Sequence, residues 1–218
     1  MTDRELLEEM LQQVEVRLPA TALDQLLWFR DELLRWNKSI NLTAITDPFS
    51  TLEKHLVDSL ALLPYLSQQG SLLDMGSGGG FPSIPLKIVR PALTIWSVDA
   101  VAKKIAFQKH VVRTLKLPSF TALHARLETL PQHSTLPAFD WIVSRAFSSL
   151  GDILSLAEPL LALNGQVVAM KGAEGLDELA DSAKIIKGAG FECQRTVQMQ
   201  LPESKARRSL LFFSKVVS

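Results

Sequence analysis

The segment Leu72–Pro82 places the strongest constraint on what this chain can fold into. A short apolar run ends at Asp74 and leads directly into a cluster of glycines. Glycine lets a backbone turn tightly and approach a ligand without a Cβ in the way. Pro82 suits the first turn of a helix, because the N–H that proline lacks would be unpaired there. The segment therefore predicts a strand, a glycine loop and a helix, with the loop placed to receive a polar or anionic group.

The spacing of the glycines narrows the class of ligand. Gly76, Gly78 and Gly80 form the pattern G-x-G-x-G. The dinucleotide fingerprint requires a small residue three places after its second glycine, and Phe81 stands there instead. The pattern therefore favours a methyl donor over NAD. Glycine clusters also occur in plain tight turns, and that alternative stays open on the spacing alone.

A second acidic residue follows at the end of the next apolar run. Residues 93–98 lead into Asp99, which lies 25 residues after Asp74. In an α/β unit an acid at this place contacts the ribose hydroxyls of a nucleotide. Asp74, Asp99 and the glycine loop together predict one nucleoside site.

Strand and helix signals alternate from Ser71 onward, which predicts parallel strands joined by crossovers. The predicted strands are 71–75, 93–98, 119–124, 139–144, 165–171, 191–200 and 208–216. The predicted helices are 82–89, 101–116, 149–162 and 174–188, with Gly165 and Gly190 as helix stops. The last two strands have no helical pattern between them, so they should pair antiparallel at one edge. The fold class is α/β, with a seven-stranded, mostly parallel sheet that has one antiparallel edge strand.

The first 65 residues predict a helical extension packed on the domain formed by residues 66–218. Apolar residues at helical spacing indicate two amphipathic helices before residue 41 and a third at about 49–63. His55 and Asp58 lie three apart on that third helix, and a surface pair without function is the favoured interpretation of them. Between the helices, residues 35–48 are rich in Asn, Thr and Lys, which suggests contact with ligand or RNA.

Composition limits the cellular setting and the chemistry. With 218 residues, of which 47% are hydrophobic, the chain can bury a full core without disulfides. The single Cys193 is predicted to be a small buried hydrophobe, and the sequence has no apolar run of the roughly 18 residues that span a bilayer. We therefore expect a cytoplasmic protein with no membrane partner. His55, His110, His124 and His133 are too scattered to predict a metal site.

Charge is balanced overall but uneven along the chain. The net charge of zero argues against a histone-like polyanion binder. From residue 84 to residue 126, however, eight basic residues accompany the single acid Asp99. Lys103, Lys104 and Lys109 belong to this stretch. It is either a solvated helix face or a surface that faces phosphates.

Several short motifs give a closer match. They are Trp36-Asn37-Lys38-x-x-Asn41-Leu42-Thr43, His55-x-x-Asp58-Ser59, Asp74-x-Gly76-Ser77-Gly78-x-Gly80-Phe81-Pro82, Ser144-Arg145-Ala146 and Lys171-Gly172. With the predicted strand order, they resemble the small-subunit rRNA methyltransferase G family, also called glucose-inhibited division protein B. That family belongs to the class I S-adenosylmethionine-dependent methyltransferases, which have a Rossmann-like three-layer sandwich.

The resemblance implies a function and a set of site residues. Its members methylate N7 of one guanine in 16S rRNA, with S-adenosylmethionine as cofactor. The implied donor contacts are Gly76, Phe81, Leu127, Glu128 and Arg145, in addition to Asp74, Gly78, Gly80 and Asp99 from the patterns above. Glu128 also has a purely structural interpretation, as a partner of a helix dipole. Ser83 departs from the family, which usually has glycine at that place.

The residues at the end of the fourth predicted strand test the acceptor chemistry independently. Methylation of an exocyclic amine would call for an Asn or Asp-Pro-Pro-aromatic tetrad there, but the chain has Ser144-Arg145-Ala146-Phe147. Methylation of a pyrimidine carbon needs a nucleophilic Cys, and Cys193 has no basic neighbour nearer than Arg195. Guanine N7 already carries a lone pair, so its methylation requires only that the enzyme position the base. Arg145 is the candidate that positions the base, with a structural ion pair as the alternative.

Seven polar residues are candidates for RNA contact, and the expected partner is 16S rRNA or a small-subunit particle, bound by a monomer. The candidates are Asn37, Lys38, Asn41, Lys171, Lys205, Arg207 and Arg208. For the last three, a solvated loop is the alternative. Two rival functions remain open on the residues alone: a nucleotide-binding or redox module on the same scaffold, and a non-catalytic RNA-binding protein.

Overall fold

A seven-stranded sheet forms the centre of the protein. The computed structural model describes residues 2–132, 136–145 and 148–216. The strands are β1 (Gly70–Met75), β2 (Leu93–Asp99), β3 (Phe120–His124), β4 (Phe139–Arg145), β5 (Leu161–Lys171), β6 (Phe191–Gln200) and β7 (Arg207–Lys215). Their order across the sheet is β3-β2-β1-β4-β5-β7-β6. The first five strands pair in parallel, as the alternation of strand and helix signals predicted.

The last two strands form the predicted antiparallel pair at one edge. β7 runs antiparallel to both β5 and β6, and it lies between them. β6 is therefore the edge strand, while the antiparallel strand sits one place further in. This arrangement brings the start of β7, at Arg207 and Arg208, beside the carboxyl end of β5 at Lys171.

Helices connect the parallel strands and cover the sheet. They span Ser83–Val89, Ala102–Thr114, Leu150–Ala157, Gly175–Asp181 and Ala183–Gly188, with short 3-10 turns at Leu63–Tyr65, Leu127–Gln132 and Glu158–Leu160. The helix predicted at 174–188 is thus two helices that meet at Ser182. Gly190 follows the second of them with φ +75°, as expected for a helix stop.

The prediction of a helix stop at Gly165 was wrong. Gly165 lies inside β5, which begins at Leu161, and the register between β4 and β5 shifts between Phe139 and Trp141. A Cβ on Gly165 would lie 2.7 Å from the Phe139 carbonyl oxygen. The glycine therefore permits close approach of the two strands at a bulge, a role that glycine also fills inside strands.

Two N-terminal helices share their core with the sheet. They are α1 (Asp3–Gln13), which begins with a capping box between Thr2 and Glu5, and α2 (Ala20–Ile40). Phe29 of α2 packs against Phe81 in a tilted arrangement, with ring centroids 5.1 Å apart, and stacks on Phe107 at 6.0 Å. The apolar face of α2 thus packs directly on the glycine-loop segment. The division of the chain into an extension, residues 1–65, and a domain, residues 66–218, stays a prediction.

A third helical segment, which we call the composite helix, covers residues 48–60. It begins as an α-helix at Pro48–Thr51, continues as a π-helix at Leu52–Val57 and ends as an α-helix at Asp58–Leu60. Asp47 caps its start by accepting a hydrogen bond from the Ser50 backbone N–H. A π segment shifts the direction of the side chains that follow it, and such segments are frequent at functional sites.

Asp140 and Cys193 lie on strands of the sheet, where their side chains contact neighbouring residues. Asp140, at the start of β4, accepts hydrogen bonds from Ser71 N at 2.7 Å and Ser71 Oγ at 2.9 Å, which ties β4 to β1. Cys193 is partly buried on β6 rather than fully buried, and burial raises the pKa of its thiol. Within residues 2–132, 136–145 and 148–216, no helix combines the length and apolar character needed to cross a membrane.

Candidate functional site

The site lies where the parallel strands end and the strand order reverses. β1 is followed in sequence by β2 on one side, whereas β4 pairs with β1 on the other side. Ligands of open α/β sheets bind in the crevice at such a switch point, outside the carboxyl ends of the strands. Here the crevice lies between the glycine loop after β1 and Arg145 at the end of β4.

The glycine loop turns back over the end of β2. The backbone N–H groups of Gly76 and Ser77 both donate to the Val98 carbonyl oxygen at 3.0 Å. Gly76, Gly78 and Gly80 all have positive φ, at 73°, 58° and 93°. The sequence pattern therefore predicted the turn correctly, because glycine adopts this conformation without steric cost.

The glycines differ in what lies beyond them. A Cβ on Gly80 would collide with the Ile84 side chain, so Gly80 permits close packing of the following helix. A Cβ on Gly78 would meet nothing within 4 Å. The space next to Gly78 belongs to the crevice, and a side chain there would fill it.

Asp99 organises the glycine loop through its carboxylate. Its Oδ2 accepts a hydrogen bond from Gly78 N at 2.9 Å, and its Oδ1 accepts one from Val101 N at 2.8 Å. Lys104 Nζ lies 3.7 Å from Oδ2. Each carboxylate oxygen has a second lone pair, so the remaining acceptor capacity can serve a ligand hydroxyl.

Asp74 is a buried carboxyl group below the loop. It has no exposed surface, and its Oδ2 accepts one hydrogen bond from Ser83 N at 3.2 Å. Its Oδ1 has no hydrogen-bond partner among the described residues. Burial raises the pKa of Asp74 to about 7, against the lowering effect of Ser83. An unpaired, buried acceptor of this kind fits a ligand that brings positive charge to the loop.

A buried network of polar side chains stiffens the same region, and the sequence did not reveal it. Ser83 Oγ lies 3.0 Å from Ser97 Oγ, which donates to Gln108 Oε1 at 2.7 Å. Gln108 Nε2 then donates to Ser77 Oγ at 2.8 Å and to the Gly78 carbonyl at 2.9 Å. Ser83, the departure from the family pattern, thus takes part in supporting the loop. A Gln on the buried face of an amphipathic helix was the available signal.

His55 faces the glycine loop from the composite helix. Its ring stacks on Phe81 with centroids 4.5 Å apart, and its Nε2 lies 2.8 Å from Thr43 Oγ1. Burial and the nearby Arg145 lower the pKa of His55 to about 3, so the ring is neutral near pH 7. His55 and Asp58 were predicted to be a surface pair without function. The prediction that they lie on the surface was wrong. Both residues are buried in the crevice.

Arg145 lies against the same aromatic ring and bonds to the composite helix. Its guanidinium carbon lies 5.2 Å from the Phe81 centroid. Its NH1 donates to the Lys54 carbonyl at 3.1 Å and to Asp58 Oδ2 at 3.3 Å. Burial lowers the pKa of Arg145, while Asp58 and Asp74 raise it. The structural ion pair considered for Arg145 exists, and the residue also lines the crevice.

Two cavities meet at Gly76. The first, which we call the composite-helix cavity, has a volume of about 460 Å³. It is lined by Leu42, Thr43, Ile45, Lys54, His55, Asp58, Gly76, Ser77, Gly78, Gly79, Phe81, Arg145, Met170, Lys171, Gly172 and Arg208. The other, which we call the strand-end cavity, has a volume of about 470 Å³ and is lined by Gly76, Asp99, Ala100, Lys104, Ala125, Arg126, Leu127 and Glu128. The predicted donor residues thus border one continuous crevice, apart from Asp74 and Gly80, which lie buried beneath it.

The predicted RNA contacts fall into two groups. Asn37 is buried, and its side chain exchanges two 2.9 Å hydrogen bonds with the Thr43 backbone. This pairing disfavours an RNA contact and gives Asn37 a structural role, since it orders the segment that borders the cavity. Lys38 and Asn41 are exposed at the end of α2. The RNA contact proposed for them stays a prediction.

The remaining four candidates cluster around the β6–β7 hairpin. Lys171 Nζ donates to the Ser148 carbonyl at 2.6 Å and pairs with Glu178 at 2.9 Å, so part of its charge is already compensated. Arg208 is partly buried and bonds to Asp58. Lys205 and Arg207 are exposed. His133 lies outside the described residues, within which no cluster of three metal-ligating side chains occurs.

Comparison with known proteins decides the family. The family described as rRNA small subunit methyltransferase G matches residues 22–210. The chain belongs to this family. It is 47% identical to the ribosomal RNA small subunit methyltransferase G of Syntrophotalea carbinolica, over 96% of each chain, and 46% identical to that of Geobacter sp. strain M21, over 97% of each. As a member of the family it is a methyltransferase that uses S-adenosylmethionine. This membership speaks against both rival functions, the redox module and the non-catalytic RNA-binding protein.

Solved structures support the fold alone. A SAM-dependent methyltransferase from Aquifex aeolicus superimposes with a TM-score of 0.60 at 17% identity, over 79% of this chain and 96% of that one. The ribosomal protein L11 methylase of Lactobacillus delbrueckii subsp. bulgaricus gives a TM-score of 0.58 at 14% identity, over 75% of this chain and 79% of that one. The predicted Rossmann-like methyltransferase architecture is confirmed.

Proposed function

We propose that this chain transfers the methyl group of S-adenosylmethionine to N7 of one guanine in the 16S rRNA of the small ribosomal subunit, in the cytoplasm and as a monomer. The family and the names of its relatives support the methyl transfer and the class of RNA. The crevice supports separate places for the donor and the acceptor, because its two cavities have different lining residues and both border Gly76.

The donor would occupy the glycine loop and the strand-end cavity. Asp99 has acceptor capacity left for the ribose hydroxyls, and Leu127 and Glu128 border the side of the cavity that suits an adenine ring. The open space beside Gly78 would admit the donor against the loop backbone. Asp74 would supply negative charge beneath the cationic amino acid part of the donor. Together these residues would bind and orient the donor next to the composite-helix cavity, which shares Gly76 with the strand-end cavity.

The composite-helix cavity would receive the guanine. Its lining carries an excess of cations over acids. Among the described lining residues Asp58 is the only carboxylate, beside Lys54, Arg145, Lys171 and Arg208. Arg145 is stacked on Phe81 and fixed by Asp58, so its planar guanidinium can hold guanine O6 while leaving N7 free. Holding N7 in line with the methyl group can supply most of the acceleration of a direct displacement.

The observation that carries the choice of N7 is the lack of a free proton acceptor in the described lining of this cavity. His55 holds a pKa of about 3 and is stacked and hydrogen-bonded. Both oxygens of Asp58 are engaged by guanidinium groups. An amine or a ribose hydroxyl would have to lose a proton during transfer, whereas guanine N7 already offers a lone pair. The chemistry of the cavity therefore fits N7.

The test is a single-turnover reaction with small-subunit particles and labelled donor at saturating concentration, followed by mapping of the methyl group to its atom. We expect N7-methylguanine and a rate that is nearly flat from about pH 6.5 to 9. A methyl group on an exocyclic amine or a ribose oxygen, or a log-linear rise of the rate with pH, would overturn the proposal.

A further inference from the structure

Asp58 connects two strands that are far apart in the chain. Its Oδ2 accepts a hydrogen bond from Arg145 NH1 at 3.3 Å, at the end of β4. Its Oδ1 accepts one from Arg208 Nε at 2.9 Å, at the start of β7. Asp58 itself is only 6% exposed. One buried carboxylate therefore fixes the orientation of two guanidinium groups.

The charges of this triad do not cancel. Two guanidinium groups face one carboxylate, so a positive charge remains in the composite-helix cavity. Both guanidinium groups bond to the same carboxylate, so the two cations lie close together. Asp58 accordingly raises the pKa of Arg145 and Arg208 lowers it. The negative charge of Asp58 thus offsets the repulsion between the two guanidinium groups. The remaining positive charge can bind an anionic group such as a phosphate.

The two guanidinium groups have different surroundings. Arg145 lies against the Phe81 ring in the cavity. Arg208 lines the same cavity and also borders a groove of about 310 Å³ on the hairpin, together with Gln198, Met199, Gln200 and Arg207. An RNA strand that passes from the hairpin into the cavity would meet Arg208 before Arg145.

We propose that Asp58 is a positioning residue for the acceptor nucleotide. It holds Arg145 in place to bind the guanine base and Arg208 in place to bind the adjoining phosphate. The base and the phosphate are therefore bound at one fixed separation. This inference rests on the proposed function, because it takes RNA as the acceptor. It assigns to the composite helix a task that the chemistry of methyl transfer alone does not require.

Glu53 supplies a matched control on the same helix. It is 1% exposed, and its Oε1 accepts hydrogen bonds from the backbone N–H groups of Glu203 at 2.6 Å and Ser204 at 2.9 Å. Glu53 therefore fastens the turn between β6 and β7. Within the described part of the chain, the Glu53 side chain makes no hydrogen bond to Arg145 or Arg208. Glu53→Gln removes the charge of this side chain and therefore tests the effect of a loosened hairpin without a change at Asp58.

The experiment introduces Asp58→Asn and Glu53→Gln separately into the parent chain and into Arg208→Gln, and measures the KM for small-subunit particles. Melting midpoints confirm that each variant is folded. In the parent background Asp58→Asn should raise the KM about tenfold, the effect of one lost charge-assisted hydrogen bond. In the Arg208→Gln background the same substitution should raise the KM less than about threefold, because the hydrogen bond to Arg208 is already absent and Arg145 keeps its hydrogen bond to the Lys54 carbonyl. Glu53→Gln should act by the same factor in both backgrounds.

Equal factors for Asp58→Asn in the two backgrounds would overturn the positioning role and leave Asp58 as a structural residue. If Asp58→Asn does not fold, Arg208→Lys decides instead. Lysine keeps the charge but loses the planar fork, so the KM should rise, and an unchanged KM would contradict the proposal. Mapping the methyl group made by the parent chain separates the two hypotheses. A misplaced methyl group refutes the proposed function, whereas correct product with equal factors refutes only the role of Asp58.

Discussion

The two sides of the crevice are built in different ways. The glycine-loop region, residues 74–83 with Asp99, comes from two neighbouring strands and is held together by backbone hydrogen bonds to Val98 and Asp99. The composite-helix region, residues 48–60 with Arg145 and Arg208, joins segments up to 150 residues apart through charged side chains. Backbone geometry is fixed by local sequence, whereas paired charges depend on the whole fold. Substitutions on the two sides should therefore fail differently, in donor binding on one side and in acceptor handling on the other.

The largest effect is expected in the glycine-loop region. Gly78→Val should weaken binding of S-adenosylmethionine more than a hundredfold, or by about 2.7 kcal/mol, because the side chain would fill the crevice. Calorimetric titration of the folded variant gives the dissociation constant. Gly190→Val is the matched control, since Gly190 also has positive φ and nothing within 4 Å but lies at a helix end outside the crevice. Equal weakening in both variants would attribute the effect to backbone strain.

Arg145 belongs to the other side and should affect the chemical step. Arg145→Lys keeps the charge but loses the planar fork that stacks on Phe81 and bonds Asp58. Single-turnover methyl transfer at saturating RNA and donor should slow more than tenfold, which corresponds to about 1.4 kcal/mol of transition-state stabilisation. Arg4→Lys, in an exposed ion pair on α1, should leave the rate unchanged. An unaltered rate in Arg145→Lys would reduce Arg145 to a structural ion pair.

The pH dependence of donor binding should report the charge of Asp74. Its pKa of about 7 lies above the ordinary value of 3.8, so the carboxyl group ionises between pH 6 and 7.5. Affinity for the cationic donor should rise about fivefold to tenfold across that interval. For the same reason the free energy of unfolding of the ligand-free chain should fall as the pH rises from about 4 to about 7, because the folded chain binds the extra proton.

Calorimetry at several pH values with Asp74→Asn and Asp140→Asn provides the check on this prediction. The first variant should lose the pH dependence of donor binding, and the second should keep it, because Asp140 is exposed and pairs with Ser71. A parent chain whose donor affinity does not change between pH 6 and 7.5 would show that Asp74 does not influence the donor by its charge.

The smallest effect is expected on the outer face of the hairpin. Arg207 is exposed, unlike Arg208, which bonds to Asp58. Arg207→Gln should reduce the slope of log affinity for small-subunit RNA against log salt by about 0.7 to 0.9 and leave donor binding unchanged. Lys184→Gln, an exposed cation on the helix Ala183–Gly188, is the control. Identical slopes for Arg207→Gln and the parent would mean that Arg207 is merely solvated.

The contrast between the glycine-loop region and the composite-helix region also explains which parts of the structure could be predicted from the sequence. The glycine turn, Asp99 and the alternating strands follow from patterns within about 30 residues, and the structure has them in the expected places. His55 and Asp58 were misinterpreted because their partners, Arg145 and Arg208, lie 87 or more residues away. A helical spacing of three is the same for a surface pair and for a buried one. Only the packing of the composite helix against the sheet distinguishes them.

Asn37 and Gly165 show two further limits of sequence patterns. An amide side chain in a polar segment suggests solvent or RNA, but the backbone of Thr43 turns back and satisfies both of its polar atoms. Gly165 follows a helical pattern, as a helix stop would, yet it lies in a strand because β4 and β5 approach too closely there for a Cβ. Both outcomes depend on a neighbouring backbone that no local pattern describes.

The place of β7 in the sheet orders the events of biosynthesis. β7 ends the sheet-forming part of the chain, yet it lies between β5 and β6, so β6 cannot join the sheet until residues 207–215 have been made. During synthesis the glycine loop, β1 and β2 are made before Arg208. The hydrogen bond between Asp58 and Arg208 can therefore form only after β7 has been made and inserted. The RNA contact proposed for Arg208 would become available at that point and not before.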